Sequence, residues 1–196
     1  MLNLPFEKRF ISAPIILIIS AIVIFATPLS ELFEYNRTLF ATGEYWRIIT
    51  GHFSHSNGYH LMLNLAGVAL IWALHGEYYD SKKYALALFL LALYTGGGLY
   101  IFYPENTIYN GLSGVLHGLI IIGALIDCQK GMKTGYLLFI GVWLKIAWEQ
   151  YTGPSAELGE LIEARVAIEA HLIGAVSGIF VYAKLNRNAL REQLTQ

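Results

Sequence analysis

Tyr109-Asn110-Gly111-Leu112-Ser113-Gly114-Val115-Leu116-His117-Gly118 joins a polar loop to an apolar run. Its serine lies between glycines, where a helix is expected to begin. A serine at a helix N-terminus has an ordinary explanation as an N-cap. A chemical role requires a base within about 2.6–3.2 Å. The rest of the chain is therefore read for such a partner, and for what holds the two together.

The 196 residues are 56% hydrophobic and only 14% charged, with a mean hydropathy of +0.50. Soluble domains carry about 25% charged residues, so this composition indicates a polytopic membrane protein. The net charge of −1 gives no electrostatic support for nucleic-acid binding. Cys128 is the only cysteine. This excludes an intrachain disulfide and a cysteine-built zinc centre.

Six apolar runs approach the roughly 20 residues that a membrane helix needs. They cover 10–27, 59–75, 84–102, 113–127, 134–151 and 164–184. The first follows Lys8 and Arg9 but lacks a small-x-small cleavage site, so it is expected to be a retained helix. The expected fold is an all-α, six-span bundle forming a single integral membrane domain over 1–196.

Lys and Arg fix the expected orientation. Lys8, Arg9, Lys82, Lys83, Lys130, Lys133, Lys184, Arg187 and Arg191 share the side of the termini, against Arg37, Arg47 and Arg165 on the other. The termini are expected to be cytoplasmic, and the loops 28–58, 103–112 and 152–163 to face outward. The first outer loop holds Leu32, Phe33, Tyr35, Tyr45 and Trp46, a composition suited to the membrane interface.

Polar residues inside spans are costly and face the bundle interior. His60 and Asn64 lie four apart on the second span, as do Ser113 and His117 on the fourth. The sixth carries His171, Gly174 and Gly178. Gly114 with Gly118, and Gly174 with Gly178, form small-xxx-small pairs that let helix backbones approach. At 1.5 Å per residue, Ser113, His171, His60 and Asn64 all fall roughly 18–24 Å above the inner ends of their helices. The short fourth span then implies that the preceding loop dips below the surface, beside a water-filled cavity.

These residues point to Ser113 as nucleophile and His171 as base. His60, Asn64 and free N–H groups of the first helical turn would form an oxyanion hole. Gly111 and Gly114 would support the turn, and His117 would support the base by ring packing or proton handling. A dyad is expected, because the second, fourth and sixth spans offer no carboxylate at this depth except Glu169, which points to another face. Lys145 and Glu149, four apart on the fifth span, are read as an ion pair that neutralises itself. The alternative is a polar feature beside a lateral entrance between the second and fifth spans. No metal and no cofactor are expected.

The same residues resemble the rhomboid family of intramembrane serine proteases. Tyr45-Trp46-Arg47 is similar to the Trp-Arg motif of the first rhomboid loop. His55, His60 and Asn64 resemble the second-helix pattern, Gly111-Leu112-Ser113-Gly114 the nucleophile motif, and Ala170-His171 through Gly174 and Gly178 the sixth-helix motif. His117 departs from the tyrosine found there in many rhomboids. The wording around Ser113 resembles the bacterial rhombosortases. That resemblance implies cleavage of membrane-anchored proteins, with a transmembrane segment and a C-terminal tail of GlyGly type, at the bacterial inner membrane. The site would open to the periplasmic side. A catalytically inactive rhomboid-like binder of transmembrane helices is the alternative.

Overall fold

The computed structural model describes residues 4–105 and 107–194, with side chains as far as Asn186. The inner-side cations Arg187 and Arg191 thus lie outside the residues whose side chains are described. The long helices are α1 (Lys8–Phe25), α5 (Gly58–His75), α6 (Ser81–Phe102), α7 (Ser113–Gln129), α8 (Lys133–Thr152) and α10 (Ile168–Leu194). The first connection is not a simple loop. It folds into α2 (Leu29–Phe33), β1 (Tyr35–Asn36), α3 (Arg37–Ala41) and α4 (Arg47–Thr50). A second two-residue strand, β2 (Ile108–Tyr109), precedes α7, and α9 (Ala156–Ile162) lies between α8 and α10.

The protein is an all-α membrane protein. The helices Lys8–Phe25, Gly58–Tyr78, Ser81–Phe102 and Ile168–Asn186 are long and apolar enough to cross a bilayer. α7 is apolar but has 17 residues, and α8 carries Lys133, Lys145 and Glu149. Among the described residues four helices meet the requirement outright, against the six spans expected.

Chain chemistry explains where the helices start. The Asn57 side chain accepts from the N–H of His60 at the start of α5, and Asp80 accepts from Lys82 and Lys83 at the start of α6. Ser155 caps α9 in the same way. Such caps satisfy N–H groups that the first helical turn leaves without acceptors. α7 has no side-chain cap, so its first N–H groups stay available to something else. α10 begins at Ile168, four residues later than the apolar run suggested. Glu163 at φ 51° closes α9 in the left-handed region, and the chain is not helical again until Ile168.

Burial is arranged for a lipid surround. The outward residues of α1 are Ile15, Ile16, Ile19, Ile22 and Val23, all exposed. α7 is the central post and packs on α5, α6, α8 and α10. Its contact with α10 is backbone on backbone. A β-carbon at Gly174 would collide with the Gly114 carbonyl, and one at Gly178 would lie 2.6 Å from the Gly118 carbonyl. The two small-xxx-small pairs of the sequence therefore face one another, the arrangement that lets membrane helices pack closely.

The folded first connection reaches the start of α7. β1 pairs antiparallel with β2, Tyr35 opposite Tyr109. Arg47 is buried and ties this region together. Its guanidinium donates to Glu44 at 2.7 Å and to the carbonyls of Glu34 and Glu31 at 2.6 and 3.0 Å. The fixed fork of Arg suits such divergent acceptors. The N–H of Gly111 donates to the carbonyl of Gly51 at 3.2 Å, so the two outer segments are joined just before Ser113.

Candidate active site

Ser113 is the first residue of α7, and His171 lies in the first turn of α10. Because Gly114 and Gly174 bring the two backbones into contact, the Oγ of Ser113 sits 3.1 Å from Nε2 of His171. That distance allows proton transfer from hydroxyl to imidazole.

Nδ1 of His171 faces Glu149 of α8, at 3.0 and 3.2 Å from its two carboxylate oxygens. The dyad expectation is corrected at this point: a carboxylate does stand behind the base. It comes from an oppositely directed helix, whose far end reaches the depth at which α7 and α10 begin. The expected Lys145–Glu149 ion pair is present at 2.8 Å, but it does not close on itself. Lys145 Nζ also lies 2.9 Å from Nε2 of His117 and 3.3 Å from Nδ1 of His171. The His117 ring stacks under His171, with centroids 4.2 Å apart and planes 20° apart. Its Nδ1 lies 2.7 Å from the Ser113 carbonyl oxygen. The available signal for Glu149 was the pair of charges within one span, since intramembrane charges face the bundle interior and need named partners.

His60 and Asn64 are buried on α5 and stand on the other side of the nucleophile loop. Gly111 has φ +104°, and a β-carbon there would lie 2.5 Å from His60 Nε2 and 3.3 Å from Asn64 Nδ2. Only glycine meets both conditions. The two side chains thus approach the backbone two residues before Ser113. Asn64 Nδ2 donates to the His60 carbonyl at 3.2 Å, which leaves its second N–H to point elsewhere. Ser56 Oγ donates to the Ile162 carbonyl at 2.5 Å and lies 2.9 Å from His60 Nδ1. With its one proton so used, the Ser56 oxygen accepts from His60 Nδ1–H. Nε2 of the neutral ring is then an acceptor in this arrangement. Among the sequence-predicted oxyanion groups, Asn64 and the N–H of Ser113 are the ready donors. His60 becomes one when the Ser56 hydroxyl turns toward it.

His52 and His55 do not join the reacting cluster. His52 is buried, with Nε2 3.0 Å from the Ala92 carbonyl and Nδ1 3.1 Å from the Tyr109 hydroxyl. That hydroxyl donates to the Gly111 carbonyl at 2.6 Å. The pair clamps the backbone that presents Ser113. Burial pushes the His52 imidazole down to about 4, against hydrogen bonds to the backbone that favour its charge. Burial also pushes His55 down to about 3, helped by the neighbouring His60. Arg165 and Glu169 pair with each other near the start of α10.

A cavity of about 610 Å³ opens beside Ser113 and His171. Leu63, Gly67 and Leu70 of α5 form one wall, and Leu138, Gly141 and Val142 of α8 the other. His60, Asn64, His117, Lys145 and Arg165 supply its polar groups. His117, Glu149 and His171 bring ligand atoms within 4.8 Å of one another, a spacing compatible with a metal ion. The Lys145 ammonium already approaches all three residues. Its shortest contacts are to Glu149 and His117, at 2.8 and 2.9 Å.

Fold and site together define a multi-pass membrane protein with a serine, a histidine and a carboxylate in line at the mouth of an apolar cavity. The rhomboid domain profile matches residues 42–188, and the chain belongs to the rhomboid family, whose members are generally intramembrane serine proteases that act on membrane-embedded substrates. No curated protein matches the chain.

Proposed function

We propose that this chain is an intramembrane serine endopeptidase. Ser113 is its nucleophile and His171 its base. The observation that carries this reading is the 3.1 Å approach of Ser113 Oγ to His171 Nε2 at a cavity between α5 and α8. A substrate's transmembrane segment enters sideways between those helices, and its unwound end reaches Ser113.

As Oγ attacks the scissile carbonyl carbon, its proton passes to Nε2 of His171. The carbonyl oxygen becomes an oxyanion and takes N–H donors from the first turn of α7 and from Asn64. His171 then gives the proton to the departing amine nitrogen as the C–N bond breaks. An acyl ester is left on Ser113. Water attacks that ester, passing one proton to His171, and the proton returns to Oγ as the acid product leaves. No cofactor enters any step.

The full proposal has α7 and α8 crossing with the other four helices, giving six spans in a bacterial inner membrane. The termini are cytoplasmic and the site opens to the periplasm. Membrane-anchored proteins with C-terminal tails of GlyGly type are the proposed substrates, as the rhombosortase resemblance implies. The test has two parts. A fluorophosphonate should label the wild type at Ser113, and Ser113→Ala and His171→Ala should abolish labelling. Co-expression with candidate tail-anchored proteins should give cleavage that both substitutions stop. Cleavage that survives them overturns the mechanism. An unlabelled wild type that still captures transmembrane helices would instead be an inactive binder.

A further inference from the structure

His171 and the four polar side chains around it, Ser113, His117, Lys145 and Glu149, favour one set of donors and acceptors. If Nδ1 of His171 carried a lone pair, that pair would face a carboxylate at 3.0 and 3.2 Å, an unfavourable approach. With a proton on Nδ1, the same approach becomes a charge-assisted hydrogen bond. Lys145 does not need Nδ1, because it has shorter contacts to Glu149 and His117, at 2.8 and 2.9 Å. An ammonium only donates, so Nε2 of His117 must accept. The His117 proton is then on Nδ1 and is donated to the Ser113 carbonyl at 2.7 Å. Both histidines are thereby fixed in the Nδ1–H form. Nε2 of His171 keeps its lone pair toward the Ser113 hydroxyl, the form a base requires.

We propose that Glu149, Lys145 and His117 are positioning residues that close a hydrogen-bonded ring through His171 and back to Ser113. The ring runs from Ser113 Oγ to His171, to Glu149, to Lys145, to His117 and back to the Ser113 carbonyl. Glu149 sets the tautomer and aim of His171. Lys145 balances the Glu149 charge in a cavity where a lone carboxylate would be costly to ionise. His117 anchors Lys145 and supports the imidazole face it stacks on. The resting ring carries one positive and one negative charge. When the Ser113 proton moves to His171, the new imidazolium lies between Glu149 and the oxyanion, and the total charge is unchanged. The chemistry therefore adds no net charge to a low-dielectric site. This is an extension of the two-residue dyad, and it rests on the protease reading above.

The test uses the full-length protein in detergent micelles and a fluorophosphonate probe, reading the inactivation rate constant separately from the probe's dissociation constant. Glu149→Gln should lower the rate constant about 10²–10³-fold with probe affinity within about threefold, since the effect of a misoriented base falls on the bond-forming step. Glu149→Asp, which keeps the carboxylate, should recover at least about tenfold of that loss. Lys145→Met and His117→Phe should each slow labelling about 10–100-fold, the range for groups that orient others. The double variant Glu149→Gln/Lys145→Met should be no slower than about threefold below Glu149→Gln alone, because residues of one network are not additive. A Glu149→Gln rate constant within twofold of wild type overturns the ring while leaving the protease reading intact. Multiplicative losses in the double variant overturn it as well. A wild type that is not labelled at Ser113 overturns both. Should Glu149→Gln fail to fold, Lys145→Met with its His117→Phe double variant reads the same ring from its other side.

Discussion

The two ends of α7 hold the same kind of part and use it differently. At one end His171 and Glu149 sit behind Ser113. At the other, His75 Nε2 lies 3.2 Å from Asp127, and the Tyr78 hydroxyl donates to the second oxygen of the same carboxylate at 2.6 Å. Both are histidine–carboxylate pairs within hydrogen-bond reach, His75, Asp127 and His171 buried and Glu149 half-buried. Among the described residues no serine is hydrogen-bonded to the Asp127 pair, and the lining of the cavity beside Ser113 does not include it. Its carboxylate is satisfied by Tyr78, and the His75 ring packs against Gly123, where a side chain would collide. A histidine–carboxylate pair becomes chemistry only where a nucleophile and an entrance are added. Elsewhere it is a tie, here fastening α5 to the far end of α7.

The widest separation between the two ends should appear in activity. Ser113→Ala is expected to lower labelling and cleavage by about 10⁴–10⁶-fold, the scale seen when a nucleophile or its base is removed. Asp127→Asn should leave activity per folded molecule within about threefold. If Asp127→Asn abolishes labelling in a protein that still melts cooperatively, the two ends are not separate in role. In stability the order should reverse. Asp127→Ala leaves the buried His75 ring and the Tyr78 hydroxyl without their acceptor, for which about 1–3 kcal/mol is usual, whereas Ser113→Ala removes one hydroxyl. Thermal melts in detergent should show a large drop for the first and a small one for the second.

A change at Asn64 sharpens what the Ser113 end does. Asn64→Ala should reduce turnover about 10²–10³-fold, the usual loss for one oxyanion donor. Substrate affinity should barely change. An equal rise in KM with unchanged kcat would assign Asn64 to binding instead. His60→Ala should cost less than Asn64→Ala, because Ser56 holds His60 with its acceptor nitrogen forward.

Much of this geometry can be read from the sequence, and the rest cannot for physical reasons. The apolar runs mark the long helices, since a bilayer demands length and hydrophobicity together. The glycines four apart on α7 and α10 predict close backbones, and that is where Ser113 and His171 meet. Glu149 was hidden because its depth depends on the direction of α8 and its aim on the rotation of that helix. Neither follows from a pattern four residues long. The pairing of β1 with β2 involves two residues each, too short for any periodicity to show. The Asp127 tie is not legible in the sequence, because an acidic residue at the end of an apolar run reads simply as the end of a span. The departure at α8 has a common cause with the site: the charges that make it a weaker span are the charges the ring uses.

The smallest effect concerns the segment that holds the Ser113 end and has no counterpart at the other. His52 and His55 lie outside the long helices and are buried, with burial pushing them down to about 4 and about 3. An unfolded histidine titrates near 6.5. The folded protein therefore binds fewer protons than the unfolded chain between those values. The stability held by keeping these rings neutral is complete above about pH 6.5 and falls as pH drops through 6.5 toward 4, at up to ~1.4 kcal/mol per pH unit for each ring. His55 packs edge-on against His60, with centroids 5.1 Å apart, so His55→Phe keeps an aromatic ring and removes the titration. Melting curves at pH 7.5, 6 and 5 should show a shallower acid decline in His55→Phe than in the wild type. Equal slopes would mean that His55 is charged or exposed in the folded protein. A protein whose Asp127→Ala variant shows the wild-type acid decline, starting from a lower melting temperature, would locate the acid-sensitive part at the Ser113 end alone.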